Sequence, residues 1–249
     1  TTQEEMLTLS SDGIETLSVD TYNGKIILVA DQAATGFSVK IEKKASARDE
    51  IEAQQCMEDI LIVSHVDGSV QKLRWEWRDK EKARHNGWQA AVSFKVVLPP
   101  CMCTQCNTYN GKVELSGLIG DSKVVTYNGS IKMCDHKGDI HAETYNGNID
   151  TSSLSSEIKM HSYNGDITSS LKPVSFLNGM IVTYNGRIKL DIDGEPSTRV
   201  LAKLSNGRIR ASNEKIKVEL HEKRKYSGII GSGEGELNLE TYNGNIDLD

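Results

Sequence analysis

The chain has 249 residues, of which 37% are hydrophobic and 26% charged, with 29 basic and 35 acidic side chains and a net charge of −6. This acidic balance argues against a nucleic-acid binder, and no apolar run approaches the ~18 residues of a transmembrane segment. Short apolar runs along the chain exclude disorder, and its five cysteines are too few, and odd in number, for a disulfide scaffold.

The first hundred residues carry strand patterns around one predicted helix. Residues 11–30 predict a first copy of a repeat, which residues 37–98 then interrupt. A capping-type spacing at residues 46–49 predicts a short helix that ends near residue 57, and the charged stretch 78–87 predicts a loop. Apolar runs predict strands within the interruption at residues 37–41, 60–63, 70–77 and 91–98.

The dominant feature is the tripeptide Tyr-Asn-Gly, which occurs seven times. Four consecutive copies stand 18 residues apart and end at Gly111, Gly129, Gly147 and Gly165. Glycines at 120 and 138 halve two of these intervals, so the unit is nine residues long. The second residue after each Gly is nearly always aliphatic and the next is polar, the alternation of a strand with one buried face. Between strands, Asn-Gly would supply the positive φ of a tight turn.

Two architectures fit strand–turn units of this length. Asn-Gly between alternating strands is typical of antiparallel hairpins in a meander or barrel. The 18-residue recurrence of the full motif favours a stacked coil instead, with Tyr-Asn-Gly at one corner and a weaker turn at the other. We therefore predict an all-β, β-helix-like solenoid of about 18 residues per rung, with one short helix and an elaborated N-terminal strand segment.

We expect one domain over residues 1–249. Residues 1–36 would be the first repeat copy, residues 37–100 an insertion of strands plus a short helix that could together cap the solenoid, and residues 101–249 the regular repeats. The absence of a linker between these parts supports one continuous body.

The Tyr-Asn-Gly copies predict a ladder of stacked side chains at one corner. Stacking would stabilise the turn, whereas an exposed row of rings would bind sugars; we favour the structural interpretation. The ladder comprises Tyr109, Asn110, Gly111, Tyr127, Asn128, Gly129, Tyr145, Asn146, Gly147, Tyr163, Asn164, Gly165, Tyr184, Asn185, Gly186, Tyr242, Asn243 and Gly244. A second aromatic group, Trp75, Trp77 and Trp88, would either cap the core or form a carbohydrate platform, and capping is the preferred interpretation.

Basic residues concentrate late in the chain. Residues 199–225 hold nine basic and three acidic side chains. Arg187, Lys189, Arg208 and Arg210 occupy equivalent repeat positions and would share one outer face. Such a face is usually only solvated, but it could also attract an anionic polymer or a membrane surface, so these four are the candidate ligand-binding residues.

Metal binding and catalysis find little support in the sequence. Cys101, Cys103 and Cys106 form one irregular cluster, with Cys134 and His136 as further conceivable ligands, whereas zinc sites usually contain paired knuckles. Repeat phasing places Cys106 inward and the other two clustered cysteines outward. No catalytic triad, phosphate loop or HExxH motif occurs, so we predict no catalytic residue, no metal and no cofactor.

Three features of the chain resemble the bacterial putative-adhesin family, whose repeat-rich β domains have no known function. They are a short helix after the first strands, a strand that ends in Val97-Leu98-Pro99, and the run of Asn-Gly-x-Ile repeats. The resemblance implies a stacked β-solenoid, often at the cell envelope, with no established catalytic residues.

These observations predict a non-enzymatic, extracytoplasmic adhesin or scaffold with an envelope polysaccharide or anionic polymer as partner. A carbohydrate-active enzyme on a β-helix fold is the alternative, resting on fold analogy. A third hypothesis is self-association through the last repeat, residues 242–249, if that rung ends in an open sheet edge. Neither a nucleic-acid partner nor a transmembrane segment is expected.

Overall fold

The computed structural model describes residues 1–173 and 175–249, which contain 23 β-strands and two short α-helices. The first hundred residues form β1 (Thr2–Ser10), β2 (Thr16–Asn23), β3 (Ile26–Ala30), β4 (Gly36–Ser46), α1 (Glu50–Glu58), β5 (Ile60–Asp67), β6 (Val70–Trp77), α2 (Lys80–Asn86) and β7 (Gln89–Leu98). The regular repeats form β8 (Cys103–Asn110), β9 (Val113–Ser116), β10 (Ser122–Thr126), β11 (Ile131–His136), β12 (Ile140–Thr144), β13 (Ile149–Ser153), β14 (Glu157–Asn164), β15 (Ile167–Leu171), β16 (Asn178–Asn185) and β17 (Ile188–Ile192). The last part forms β18 (Thr198–Asn206), β19 (Ile209–Ala211), β20 (Lys217–His221), β21 (Lys225–Ile230), β22 (Gly235–Asn243) and β23 (Ile246–Leu248).

The strands form two sheets that share one apolar core. One sheet has 11 strands in the order β1-β4-β7-β3-β9-β11-β13-β15-β17-β23-β19. The other has 12 strands in the order β20-β21-β18-β22-β16-β14-β12-β10-β8-β2-β6-β5. Pairing is parallel through the repeats and antiparallel at three of the four sheet ends, between β1 and β4, between β5 and β6, and between β20 and β21. At the fourth end, β19 pairs parallel with β23.

This architecture shows that the predicted β-solenoid is wrong. The chain is all-β, but its two large sheets are mixed in strand direction and do not close, which is a β-sandwich arrangement. The repeat pattern reports which face of each strand is buried. It does not report how the sheets end, and segments outside the strict repeat add antiparallel strands at three of the four ends.

Within the repeats, the 18-residue spacing sets the register of parallel neighbours. Cys106 lies beside Val124, which lies beside Ala142, which lies beside Met160, all with buried side chains, as the repeat phasing predicts. In the facing sheet, fully buried isoleucines at 131, 149 and 167 form a matching row. Burial of one such side chain stabilises the fold by about 1.5–3 kcal/mol, so the rows hold the sheets together.

The motif glycines are required for a different reason from the one predicted. None of the seven has a φ in the left-handed region. Instead, a Cβ at Gly129 would lie 1.9 Å from the carbonyl oxygen of Gly111, and a Cβ at Gly147 would lie 1.9 Å from that of Gly129. The backbones of successive repeats therefore approach so closely at this corner that any side chain would clash.

The last repeat lies inside the sheets rather than at their end. Strand β22 lies between β16 and β18, and β23 lies between β17 and β19. The expected open edge at residues 242–249 is therefore wrong, because both strands of this repeat are paired on both sides. Self-association of the chain stays a prediction, but an open edge at the last repeat no longer supports it.

The N-terminal part contains one more helix than predicted. Asp49 caps α1 by accepting a hydrogen bond from the Glu52 amide at 2.8 Å. The stretch predicted as a loop contains α2, which Asp79 caps and which ends at Gly87 in the left-handed conformation. Neither helix has the length and apolar character needed to cross a membrane, in the part of the chain that is described.

Candidate functional site

Seven tyrosines form one continuous stack along the 12-stranded sheet, which we call the tyrosine column. Ring centroids of neighbours are 4.7–4.9 Å apart and their planes differ by at most 6°. This separation equals the distance between paired strands, so sheet pairing itself brings the rings into contact. In spatial order the column is Tyr22, Tyr109, Tyr127, Tyr145, Tyr163, Tyr184 and Tyr242.

Asparagines and threonines beside the column hold its backbone. The Asn128 amide nitrogen donates to the Asn110 side-chain oxygen at 2.8 Å, and the same bond joins Asn146 to Asn128. The Thr144 hydroxyl donates to the Gly129 carbonyl at 2.9 Å. These bonds recur from repeat to repeat and fix the position of each ring.

The column exposes ring faces only at its ends. A ring in the middle, such as Tyr145, is covered on both faces by its neighbours and presents its edge to solvent. Tyr22 stacks on Tyr109 alone among the described aromatic residues and is 55% exposed, against 40% for Tyr145. Tyr242, at the other end, is 47% exposed. A ligand that stacks on an aromatic face can therefore use only these two ends.

A groove of about 740 Å³ lies at the Tyr22 end, and we call it the Tyr22 groove. Its lining includes three tyrosines of the column, Tyr22, Tyr109 and Tyr127, together with Trp75 and Trp77. The two indoles meet edge to face with centroids 5.3 Å apart, and the Trp75 ring nitrogen donates to the Thr21 hydroxyl at 3.1 Å. Both are partly buried against the core, so the wall they form is rigid.

Trp75 and Trp77, two of the three tryptophans predicted to cap the core, contact both the core and the Tyr22 groove. Trp77 also contacts Trp88, with centroids 6.5 Å apart, and Trp88 is buried at the end of the core. The capping and ligand-binding interpretations are compatible, because Trp75 and Trp77 pack on the core and line the groove as well.

Polar groups in the Tyr22 groove are arranged in matched pairs. The Asn107 amide nitrogen donates to an Asp20 carboxylate oxygen at 2.7 Å, and Arg74 lies 3.6 Å from Glu76. Lys80 also lines the groove. Two acidic and two basic side chains balance, so the groove has no net charge. Its planar amide, carboxylate and guanidinium groups can exchange these bonds for hydrogen bonds to ligand hydroxyls.

The opposite end of the column has a smaller groove of about 360 Å³, beside Tyr242. Lys203 and Glu240 lie 3.9 Å apart there, and His161 completes the polar lining. No tryptophan lines this groove among the described residues. The two ends are therefore unequal, and the Tyr22 groove has both the larger volume and the larger aromatic surface.

A third groove, of about 520 Å³, crosses the outer face of the same sheet. Lys123, His141 and Lys159 form its basic side, and Asp139 lies on its acidic side. Partial burial raises the pKa of the Asp139 carboxyl, and the neighbouring Asp121 carboxylate adds to the effect. Its lining is polar and contains little aromatic surface, which makes it a weaker candidate site.

The four predicted basic residues do not share an uninterrupted face. Strand β23 lies between them, so Asp247 is 3.7 Å from Arg187 on one side and 3.4 Å from Arg210 on the other. Lys189 lies 3.7 Å from Asp249. The sequence could not reveal this, because the acidic strand comes from residues some 37 positions further along the chain. Arg208 uses its backbone amide to donate to the Asn245 side chain.

The cysteines do not assemble into a site. All five are free thiols; Cys101 is exposed, Cys103 is half-buried and Cys106 is buried, where burial raises the pKa of its thiol. No group of three or more metal-ligating side chains occurs in the described residues. His136 lies apart from the clustered cysteines in sequence, and its side chain is buried in the core at a bulge in β11. This burial lowers the pKa of the imidazole.

Comparisons with known proteins give only distant similarity. No protein-family model matches the chain, and no curated protein matches it. A crystal structure from Clostridium sporogenes named "putative cell adhesion protein" is 13% identical, with a TM-score of 0.37 over 100% of this chain and 99% of that one.

Two further structures align over 100% of this chain and 97% of their own. A "putative adhesin" from Bacteroides fragilis is 11% identical with a TM-score of 0.44, and a "putative lipid binding protein" from Parabacteroides distasonis is 8% identical with a TM-score of 0.37. Membership of the bacterial putative-adhesin family stays a prediction.

Proposed function

We propose that this chain is a non-enzymatic, extracytoplasmic adhesin that binds a neutral glycan chain in the Tyr22 groove. The observation that carries the proposal is the exposed ring of Tyr22 at the end of a stack whose inner rings are covered. A rigid aromatic face beside paired polar groups is a site for a ligand with one apolar and one hydroxyl-rich surface.

Sugars have both of these surfaces. The C–H groups of a pyranose face carry slight positive charge and are attracted to the negative face of an aromatic ring. The equatorial hydroxyls at the sugar's rim donate and accept hydrogen bonds, which Asp20, Asn107 and Arg74 can provide at the edge of the ring. The groove's length, from Tyr22 past Tyr109 to Tyr127, accommodates more than one sugar unit.

The balanced charge of the groove favours a neutral glycan over an anionic one. Arg74 and Lys80 are offset by Asp20 and Glu76, so an anionic polymer would gain little long-range attraction here. Binding of an anionic polymer by Arg187, Lys189, Arg208 and Arg210 remains a separate prediction, and it would have to compete with Asp247 and Asp249.

The groove's acidic groups support binding rather than hydrolysis. A glycosidase needs two carboxyl groups that flank the scissile bond, one of them free to donate a proton. Asp20 accepts a hydrogen bond from Asn107, and Glu76 lies beside the Arg74 guanidinium. Both carboxylates are therefore already engaged by neighbouring side chains, and neither is placed as a free proton donor.

The test compares two tyrosines of the same column on an array of neutral and anionic glycans. Tyr22→Ala removes the exposed face, and we expect it to weaken glycan binding by about 2- to 10-fold, the range for loss of one aromatic contact. Tyr145→Ala is the matched control, because it removes a ring that is covered on both faces. It should lower thermal stability and leave glycan affinity unchanged.

Two results would contradict the proposal. One is the absence of glycan binding by the unmodified chain, and the other is an equal loss of affinity in both variants. Release of reducing sugars from a bound glycan would instead favour the carbohydrate-active enzyme.

A further inference from the structure

The last repeat fills a slot between two earlier repeats. Residues 178–192 form one wall and residues 198–211 the other, and we call residues 235–249 the inserted segment. Asn243 shows the arrangement at one position, since it pairs with Asn185 on one side and Asn206 on the other. The two walls are neighbours in sequence, yet their strands do not pair with each other in the described residues, because β22 and β23 lie between them. Direct contact occurs beside these strands, where the Thr198 hydroxyl donates to the Leu177 carbonyl at 2.7 Å and Phe176 bridges Ser197.

The walls carry the same pattern as the segment between them. Ile181 lies beside Leu239, which lies beside Ala202, and all three are buried. Apolar pattern therefore does not explain why the walls are separated, because each wall could continue the sheet directly from the other.

Charge distinguishes the inserted segment from the walls. The segment contains four acidic residues and no basic ones: Glu236, Glu240, Asp247 and Asp249. Asp247 lies beside Lys189 and Arg210 in the strand register, so direct contact between the walls would bring those two cations together. Insertion replaces this repulsion with ion pairs from Asp247 to Arg187 and Arg210.

A short glycine-rich hinge joins the inserted segment to the rest of the chain. Residues 231–234, Gly-Ser-Gly-Glu, cross over the start of β18, where Thr198 pairs with Ile230 on one side and Gly235 on the other. Gly231 and Gly233 both adopt positive φ, which needs glycine. The hinge contacts the body through Ser197, whose hydroxyl bonds Ser232 at 2.7 Å and the Glu234 amide at 2.9 Å.

We infer that the inserted segment is exchangeable, and that the slot between β16–β17 and β18–β19 binds the same segment of a second copy of this chain. The slot recognises the inserted segment by main-chain pairing of β22 and β23 on both sides and by charge, and neither form of recognition requires that donor and acceptor belong to one molecule. Reciprocal exchange at the hinge yields a dimer with two Tyr22 grooves. The inference does not depend on glycan binding.

Shortening the hinge tests the exchange. Ile230 and Gly235 lie on opposite sides of β18, about 10 Å apart at two strand spacings. Deletion of residues 232–234 leaves two Cα–Cα steps, which reach at most about 7.6 Å, so the segment cannot enter its own slot. We expect the deletion variant to have twice the monomer mass, with the amides of residues 236–242 protected from hydrogen exchange. Adding four residues to the hinge is the control and should yield a monomer with the same protection.

A monomeric deletion variant whose residues 235–249 exchange freely would overturn the inference. A second measurement uses the unmodified chain, so that exchange is tested even if the deletion variant misfolds. Isotopically labelled and unlabelled chains are mixed, warmed below the unfolding temperature and analysed by native mass spectrometry. Mixed-label dimers that need warming to form support exchange, and monomers alone under these conditions contradict it.

Discussion

Residues 103–171 and residues 178–248 use the same repeat but assemble in different orders. In the first region each repeat pairs with the next one in sequence, every 18 residues. In the second, the repeat that contains Asn243 enters between those that contain Asn185 and Asn206. The repeat determines what a strand pair looks like, and we infer that side-chain charge and chain connection select which pairs become neighbours.

The largest expected effect comes from adding a methyl group at the glycine corner. In the regular region, Gly147→Ala places a Cβ 1.9 Å from the Gly129 carbonyl oxygen and 2.6 Å from its carbonyl carbon, and no side-chain rotation can move these backbone atoms away. We expect a loss of about 3 kcal/mol or more in the free energy of unfolding, measured by chemical denaturation.

The equivalent change in the inserted segment should act locally. Gly244→Ala has the same clash, 1.8 Å from the Gly186 carbonyl oxygen, but this segment can leave its slot. We expect hydrogen-exchange protection to be lost at residues 235–249 while residues 103–171 stay protected. Equal global unfolding in the Gly147 and Gly244 variants would show that the two regions are one cooperative unit.

A smaller loss of stability is expected when Asp247 on the outer face of the 11-stranded sheet is neutralised, and Asp150 on the same face provides the comparison. Asp247 has a 17% exposed side chain between Arg187 and Arg210, whereas Asp150 lies beside Lys132 and Thr168. Asp247→Asn should cost about 1–2 kcal/mol of stability, because two cations then face each other.

Asp150→Asn is the control and should change stability by less than about 0.5 kcal/mol. Thermal melts in low and high salt provide the readout. Salt should reduce the Asp247 effect, and an effect of equal size at both aspartates would contradict the proposed role of charge in ordering the repeats.

The smallest expected effect is on the pH dependence of stability, through His136 in the regular region. Burial lowers the pKa of the His136 imidazole in the folded state, opposed by its bond to the Asp139 carbonyl and by the Asp121 carboxylate. The unfolded chain, with an ordinary value of about 6.5, therefore binds the proton more tightly, and stability falls as pH drops below that value. Melting temperatures between about pH 7.5 and pH 5.5 should decline less steeply for His136→Gln than for the unmodified chain. Parallel declines would contradict this assignment.

Some of the candidate site could be predicted from residues alone. The spacing of Tyr-Asn-Gly predicted a stack, and sheet pairing places those rings at contact distance. What escaped prediction was that stacking covers the inner faces and leaves Tyr22 as the exposed end beside Trp75. The hydrogen bond that holds Trp75 at this end joins it to Thr21, 54 positions away, and no local pattern encodes it.

The sequence by itself determined the β content, the buried face of the repeat strands and the position of the glycine corner, because these follow from side-chain alternation and backbone contact within neighbouring residues. Only the tertiary structure decided that the sheets stay open, that the tyrosine column ends at Tyr22, and that an acidic segment separates Arg187 from Arg210. Strand neighbours are chosen by contacts between distant segments. A regular repeat makes many such choices nearly equal in apolar burial, so its pattern by itself does not specify the order of the strands.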